Sequence, residues 1–392
     1  MKRIALVNQR YGKEVNGGSE YYTMQMAQQF KENYKVEVLT SKALTYDKWE
    51  DYYGHDVEVL DGIIVRRFGV KRKRNRYVQR LLKEVITCIG INTEIVTAMW
   101  NKSLGPYMPE LVNYIEAHKE EYEAFIFVTY MYYPVVFGLK KVADKAIFVP
   151  TAHDEYSIYF KIYEKLFCMP KKIVYLTEEE KQFVQRKFHN ELIDSRVIGI
   201  GIEPPEDAEE GRFRQKYGIE GSYIIYAGRV DLDKGCEEMF RYFLRYSKEG
   251  GEGNRLQLVV IGKSYMEIPK AKNIRYLGFV SEQDKYDGIK GADLLWLPSQ
   301  FESLSIAVLE AMSMGIPVIV NGRCEVLKGH CIRSGGGGWY GSYDGFIQAV
   351  KKILGDRNAY GEKARRYAKE VYGWEKVMEE WREVIEDVIG EA

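Results

Sequence analysis

Short apolar runs alternate with longer helix-like stretches along almost the whole chain, and the alternation restarts after a single break. Strands are expected at residues 3–8, 35–40, 57–60, 63–68, 124–128, 145–149 and 172–176. Helices are expected from about residue 20 and around 76–88 and 107–120. Asp61-Gly62, between two of the runs, is the dipeptide of a tight hairpin. Apolar runs separated by helices spell α/β units on a parallel sheet. The segment VIGIGIEPPEDAEEG breaks the pattern near 190–210 with Gly199, Gly201, Pro204, Pro205 and an acidic run. Strands then follow at 223–227, 256–261, 274–277, 293–297 and 317–320, and helices at 357–371 and 373–389 close the chain. A chain of 392 residues is longer than one core supports. The reading is therefore an α/β protein of two Rossmann-like domains, residues 1–190 and 191–373.

Charge and cysteine content narrow the function. Lys and Arg together number 57, as do Asp and Glu, so no net charge draws the chain to nucleic acid. The five cysteines, Cys88, Cys168, Cys236, Cys324 and Cys331, are odd in number and lack metal-ligand spacing. They suit a reducing compartment. The apolar run at residues 4–7 is too short for the core of a signal peptide, and no stretch approaches the roughly 20 apolar residues of a membrane span. A cytoplasmic protein is expected.

Four segments carry chemistry. In LPSQFESLSIAVLEAMSMGIPVIV, residues 297–320, a strand gives way to a helix that Ser303 or Ser305 can cap, with Ile306, Leu309 and Met312 on its apolar face. The amides of Leu304, Ser305 and Ile306 would face an anion such as a diphosphate. Glu302 and Glu310 stand eight residues apart, roughly 12 Å along a helix. That separation suits hydrogen bonds to both ends of one nucleotide-sugar. It equally suits a polar cap followed by an exposed helical glutamate.

In YAGRVDLDKG, residues 226–235, Arg229 and Lys234 bracket a loop at a strand end, a place for two cations on a diphosphate leaving group or for ordinary surface charges. Asp233 is read as the cap of the next helix. The stretch IGKS at 261–264 fails the phosphate-loop pattern. In VNGGSEYY, residues 15–22, Gly17 and Gly18 permit a close backbone approach to phosphate. In VPTAHDEY, residues 149–156, His153 and Asp154 follow a strand end.

Taken in order, these segments resemble a GT-B glycosyltransferase, in particular a family 4 retaining enzyme. GRVDLDKG and the Glu302/Glu310 pair carry the likeness. It implies two Rossmann-like domains facing each other across a cleft, with the closing helix, 374–392, crossing back to the N-terminal acceptor-binding domain. It assigns Gly17 and Gly18 to the neighbourhood of the donor diphosphate, and Arg229 and Lys234 to the diphosphate itself. Glu302 would hold sugar hydroxyls and Glu310 the ribose. His153 would lie near the donor sugar, and Phe279 and Val280 would carry the base. Where many relatives have glycines after the first glutamate, this chain has Ser303-Leu304-Ser305. A glycine-rich loop at Gly335–Gly338 also sets it apart.

The implied reaction is hexosyltransferase-like. A sugar passes from a nucleoside-diphosphate sugar to a saccharide or lipid-linked acceptor with retention, in the synthesis of cell-surface polysaccharide or glycoconjugate. Neither cofactor nor metal is expected, since Asp231 and Asp233 lie between two cations. A basic run, Lys71, Arg72, Lys73 and Arg74, is read as a solvated face or as a peripheral contact with the inner face of the membrane. A phosphorylase or epimerase of the same architecture, and a non-catalytic nucleotide-sugar binder, are the alternatives.

Overall fold

The structure is a computed structural model that describes residues 1–250 and 256–390. Two compact units divide it, Met1–Ile200 with the segment from Met378 onward, and Gly201–Val377.

The first unit is built on β1 (Arg3–Val7), β2 (Lys35–Ser41), β3 (Val57–Leu60), β4 (Ile63–Phe68), β5 (Ala124–Val128), β6 (Ala146–Val149), β7 (Lys172–Tyr175) and β8 (Ser195–Val197). Their order in the sheet is β3-β4-β2-β1-β5-β6-β7-β8. Every pairing is parallel except the β3/β4 hairpin. There Asp61 and Gly62 both take positive φ, 51° and 83°, as a two-residue turn matched to strand twist requires. The strand sequence AFIFV of β5 is buried throughout, because helices cover both faces of a parallel sheet. Phe125, Phe127, Phe148 and Trp100 centre the core beneath it.

The closing helix Trp374–Ile389 sends its later residues to this unit. Trp381, Val384 and Ile385 recur at helical spacing and are buried. The Trp381 ring meets Phe30 edge-on with centroids 5.3 Å apart. Lys172 pairs with both Asp194 and Asp387.

The second unit is built on β9 (Tyr223–Ala227), β10 (Gln257–Ile261), β11 (Ile274–Gly278), β12 (Leu294–Leu297), β13 (Val318–Asn321) and β14 (Gly337–Tyr340). All are parallel, in the order β11-β10-β9-β12-β13-β14. Counted from β9 this is the doubly wound order 3-2-1-4-5-6. The direction of winding reverses between β9 and β12, and the carboxyl ends of those two strands are where open α/β sheets bind ligands.

Two strands escaped the sequence reading, β8 and β14, and the second corrects an expectation. Gly335–Gly338 is no loop. Gly335, left-handed at φ 60°, closes the helix Glu325–Ser334, and β14 begins at Gly337. A Cβ on Gly336 would stand 2.5 Å from the backbone of Ala364, and one on Gly337 2.6 Å from Val318. These glycines let the sheet edge and the helix Arg357–Tyr372 close on each other.

Candidate active site

The turn after β9 is folded by Asp231. Its Oδ1 accepts the Lys234 amide at 2.8 Å, its other oxygen pairs with the Arg229 guanidinium, and its carbonyl accepts the Cys236 amide at 3.3 Å. The following helix, Cys236–Glu249, is capped by Gly235 without any side-chain bond, and Asp233 is exposed. The capping role expected of Asp233 is therefore wrong. Asp231 already takes the loop amide, and Gly235 stands between Asp233 and the helix. Gly235 is left-handed at φ 73°, and a Cβ there would lie 2.4 Å from the Pro298 carbonyl oxygen. That contact sets the β9 turn against the β12 turn. It brings Lys234 to Glu302, with Nζ 2.6 Å from Oε1 and both side chains partly buried.

After β12 the chain turns at Pro298 and enters the helix Ile306–Ser313 at Ser305. Ser305 has φ 70° and ψ 84° and makes no side-chain cap. A capping serine needs an extended backbone to reach the first-turn amides, and this left-handed one cannot supply it. The first-turn N–H groups lack intrahelical acceptors, and they begin at Ile306. Leu304 is buried and its carbonyl accepts from His330 at 2.8 Å.

Glu310 is only 2% exposed, which removes the reading of an exposed helical glutamate. Its Oε1 accepts from Lys285 Nζ at 2.6 Å and from the Tyr286 hydroxyl at 2.9 Å. Both donors sit on the helix Glu282–Lys290, capped by Ser281 directly after β11. Between strand and cap, the Phe279 ring is 71% exposed and Val280 is half-buried. One carboxyl edge of the unit thus carries Arg229, Lys234, Glu302, Phe279 and the helix of Glu310. The IGKS stretch ends β10 on the same edge but leads to β11 with no intervening helix, so it lacks the amide cradle of a phosphate loop.

In the first unit, the helix Gly18–Phe30 follows β1. Its N-terminus is filled by its own Glu20, which accepts from Gln9 at 3.0 Å, from Arg10 Nε at 2.9 Å and from Ser19 Oγ at 2.9 Å. A Cβ on Gly17 would sit 2.1 Å from Glu20 Oε2, whereas one on Gly18 would meet nothing within 4 Å. Gly17 makes room for Glu20, and Gly18 faces open space.

His153 follows β6 in a loop fixed by Glu180. The Glu180 carboxylate accepts the Ala152 amide at 2.5 Å and the Leu176 amide at 2.6 Å, and burial pushes its pKa up to about 8 against those two donors. His153 Nδ1 lies 4.0 Å from Glu155, which accepts the Tyr130 hydroxyl at 2.7 Å. Thr129 and Thr151, at the ends of β5 and β6, have φ 72° and 51°, and their hydroxyl oxygens are 3.2 Å apart. β-Branched residues avoid that region, and such strain gathers at functional sites. Asp154 accepts from Tyr159 at 2.7 Å on the surface.

Comparison with known proteins bears on this arrangement. Residues 209–374 match the family Glycosyl transferases group 1. An uncharacterised glycosyltransferase of Methanocaldococcus jannaschii is 26% identical over 53% of this chain, and the match spans 58% of that relative's own length. The sucrose-phosphate synthase of Thermosynechococcus elongatus superposes with a TM-score of 0.73 at 15% identity, over 100% of both chains. Anabaena HepE in complex with UDP-glucose superposes with a TM-score of 0.68 at 12% identity, over 99% of this chain and 100% of its own. Residues 209–374 thus form a Glycosyl transferases group 1 domain, and the chain as a whole has the GT-B fold of these solved structures.

In the first unit the basic run is largely neutralised. Lys71 pairs with Glu110 at 2.6 Å, Lys73 with Glu50 at 2.8 Å and Arg76 with Asp47 at 2.7 Å, while Arg72 lies over the Tyr107 ring. Three parts of the site escaped the sequence reading: Asp231 as organiser of the cationic turn, Lys285 with Tyr286 as partners of Glu310, and His330 behind Leu304. The Asx-type turn Asp231–Lys234 is the one that turn chemistry could have found. Among the described residues no helix is long and apolar enough to cross a membrane.

Proposed function

We propose that this glycosyltransferase moves a hexose from a nucleoside-diphosphate sugar to a saccharide or lipid-linked acceptor with retention at the anomeric carbon, in cell-surface polysaccharide or glycoconjugate synthesis. The observation that carries the reading is the meeting of Lys234 and Glu302, beside Arg229, at the winding reversal of the second sheet. When donor binds, Lys234 and Arg229 turn to the diphosphate, and Glu302 is released to the sugar hydroxyls. The first amides of the helix Ile306–Ser313 add positive potential at the same phosphates. Glu310 takes the ribose hydroxyls, and Phe279 with Val280 offers an apolar seat for the base.

The bond from the anomeric carbon to the diphosphate oxygen breaks, and the bond to the acceptor oxygen forms on the same face. The acceptor proton passes to the departing diphosphate. The cations stabilise the charge growing on that leaving group, the interaction that is stronger in the transition state than before it. No metal takes part, because Asp231 is spent on Arg229 and the Lys234 amide. For Gly18 and His153 the family resemblance supports a part in turnover, and substitution tests it. Incubation with a panel of nucleotide-sugars, followed by NMR of the product's anomeric proton, tests the whole reading. An inverted product, or phosphorolysis in place of transfer, refutes it.

A second observation favours work at a membrane. Tyr77, Leu81, Ile89, Ile95 and Met99 are exposed on the helices Arg76–Thr87 and Glu94–Leu104 and the turn between them, with Arg80 and Lys83 interspersed. Apolar side chains among cations suit an anionic lipid surface at the inner face of the membrane. Here the apolar face supplies the contact, and the Lys71–Arg74 run, with Lys71 and Lys73 already paired to Glu110 and Glu50, is not what carries it. Sedimentation with anionic vesicles, lost in Leu81→Ser/Ile95→Ser, is the expected result. A salt-insensitive dimer that this variant dissociates refutes it.

A further inference from the structure

Ser305 holds a backbone conformation, φ 70° and ψ 84°, that glycine adopts freely and serine adopts only against the clash of its own Cβ. The helix it opens, Ile306–Ser313, has eight residues, too few to fix its own direction without tertiary support. Support comes from the helix Arg357–Tyr372 at both ends. At the far end, Arg365 donates to the Met314 carbonyl at 3.1 Å. At the near end, Tyr367 acts through His330.

His330 is wholly buried on the helix Glu325–Ser334. Its Nε2 is 2.8 Å from the Leu304 carbonyl oxygen, and its Nδ1 is 3.1 Å from the Tyr367 hydroxyl. Arg333 Nε donates to that same hydroxyl oxygen at 3.2 Å. The donors then run in one direction. Arg333 donates to Tyr367, Tyr367 donates to Nδ1, and Nε2 must carry the imidazole proton that faces Leu304. Burial and the Arg333 charge keep the ring neutral, with its pKa pushed down to about 4. A neutral ring of fixed tautomer is a dependable single donor.

We propose that His330 is a positioning residue, whose bond to the Leu304 carbonyl holds Ser305 left-handed and so aims the first amides of the helix Ile306–Ser313, and Glu302 just upstream, at the donor diphosphate. A side chain from another helix thereby does here what a glycine at position 305 would do by itself. The inference rests on the donor assignment made above, and it adds a residue that touches neither donor nor acceptor.

The test is a double-mutant cycle read by calorimetry with UDP and with uridine, and by thermal unfolding. His330→Leu fills the space and removes the donor, and is expected to weaken UDP by about tenfold, the usual scale for one lost positioning hydrogen bond. Uridine, which has no phosphate, should bind as before. His330→Gln keeps an N–H within reach of Leu304 and should restore most of the UDP affinity. Ser305→Gly should do the same in the His330→Leu background, and should raise the melting temperature more there than in the wild type. The proposal is overturned if His330→Leu binds UDP normally, if UDP and uridine weaken together, or if Ser305→Gly acts equally in both backgrounds. A wild type that binds neither UDP, GDP, ADP nor pyrophosphate while the stability coupling persists refutes the donor assignment and leaves the conformational clamp standing.

Discussion

Gly235→Ala is the most searching single substitution at this site. The new Cβ would lie 2.4 Å from the Pro298 carbonyl oxygen, on a backbone at φ 73°. Ordinary contact begins near 3.4 Å, so the β9 and β12 turns must separate by about 1 Å, a displacement on the scale that can cost a hundredfold in rate. Left-handed alanine adds about 1–2 kcal/mol of strain. For a unit of 150–250 residues that corresponds to a fall of about 2–8 °C in melting temperature. The Lys234–Glu302 contact of 2.6 Å would open with the turns. The expected result is a drop of about a hundredfold in kcat/KM for donor with a modest loss of stability. Steady-state kinetics and a thermal scan on the same preparation read both. Wild-type turnover in Gly235→Ala would mean that the spacing of the two turns does not govern transfer, and the argument from Lys234 and Glu302 would fall with it.

Arg229→Ala and Lys234→Ala should each reduce turnover by more than about tenfold, since each removes a charge-assisted contact to the leaving group; near-normal kinetics in both would refute the cationic clamp. Glu310→Gln should weaken binding of the nucleoside diphosphate, whereas Glu302→Gln should spare it and slow transfer, a separation that calorimetry and kinetics together resolve. EDTA should leave activity intact, Asp233→Ala should be nearly silent, and Asp231→Ala should impair activity by freeing the turn; full loss in EDTA with recovery on magnesium would make the aspartates a metal site. Because the folded pKa of His330 lies at about 4, below its ordinary value near 6.5, its neutral form stabilises the fold fully above about pH 6.5. That contribution disappears as pH falls toward 4. Denaturant midpoints from pH 7 to pH 4 should fall less steeply in His330→Gln, and identical slopes would contradict the assignment.

What the sequence disclosed follows from its physics. Strands β1, β5, β9 and β12 are central, buried on both faces and therefore continuous apolar runs. β8 reads SRV and β14 reads GGWY; as edge strands they need no apolar run, so neither shows one. The Glu302/Glu310 pair and the Arg229/Lys234 bracket were legible because their spacing is local. His330 was not, because its partner Leu304 lies 26 residues away and no periodicity joins them. Asp233 misled for a related reason. Proximity to a helix start suggested a cap, but Asp231 had already claimed the Lys234 amide.

The chain leaves the first unit at Ile200 and re-enters it at Met378, and the Ile202 amide donates to the Tyr372 carbonyl at 2.7 Å where the second unit closes. On the ribosome this order separates birth from completion. The first unit emerges first, yet it still lacks Trp381, Val384 and Ile385, which reach it only after all of Gly201–Val377 has been translated. The second unit has every strand of its sheet in hand before then. Vectorial synthesis therefore lets the later-made unit finish folding before the earlier-made one, and a nascent chain stalled short of residue 378 would expose the apolar surface around Phe30 that Trp381 covers.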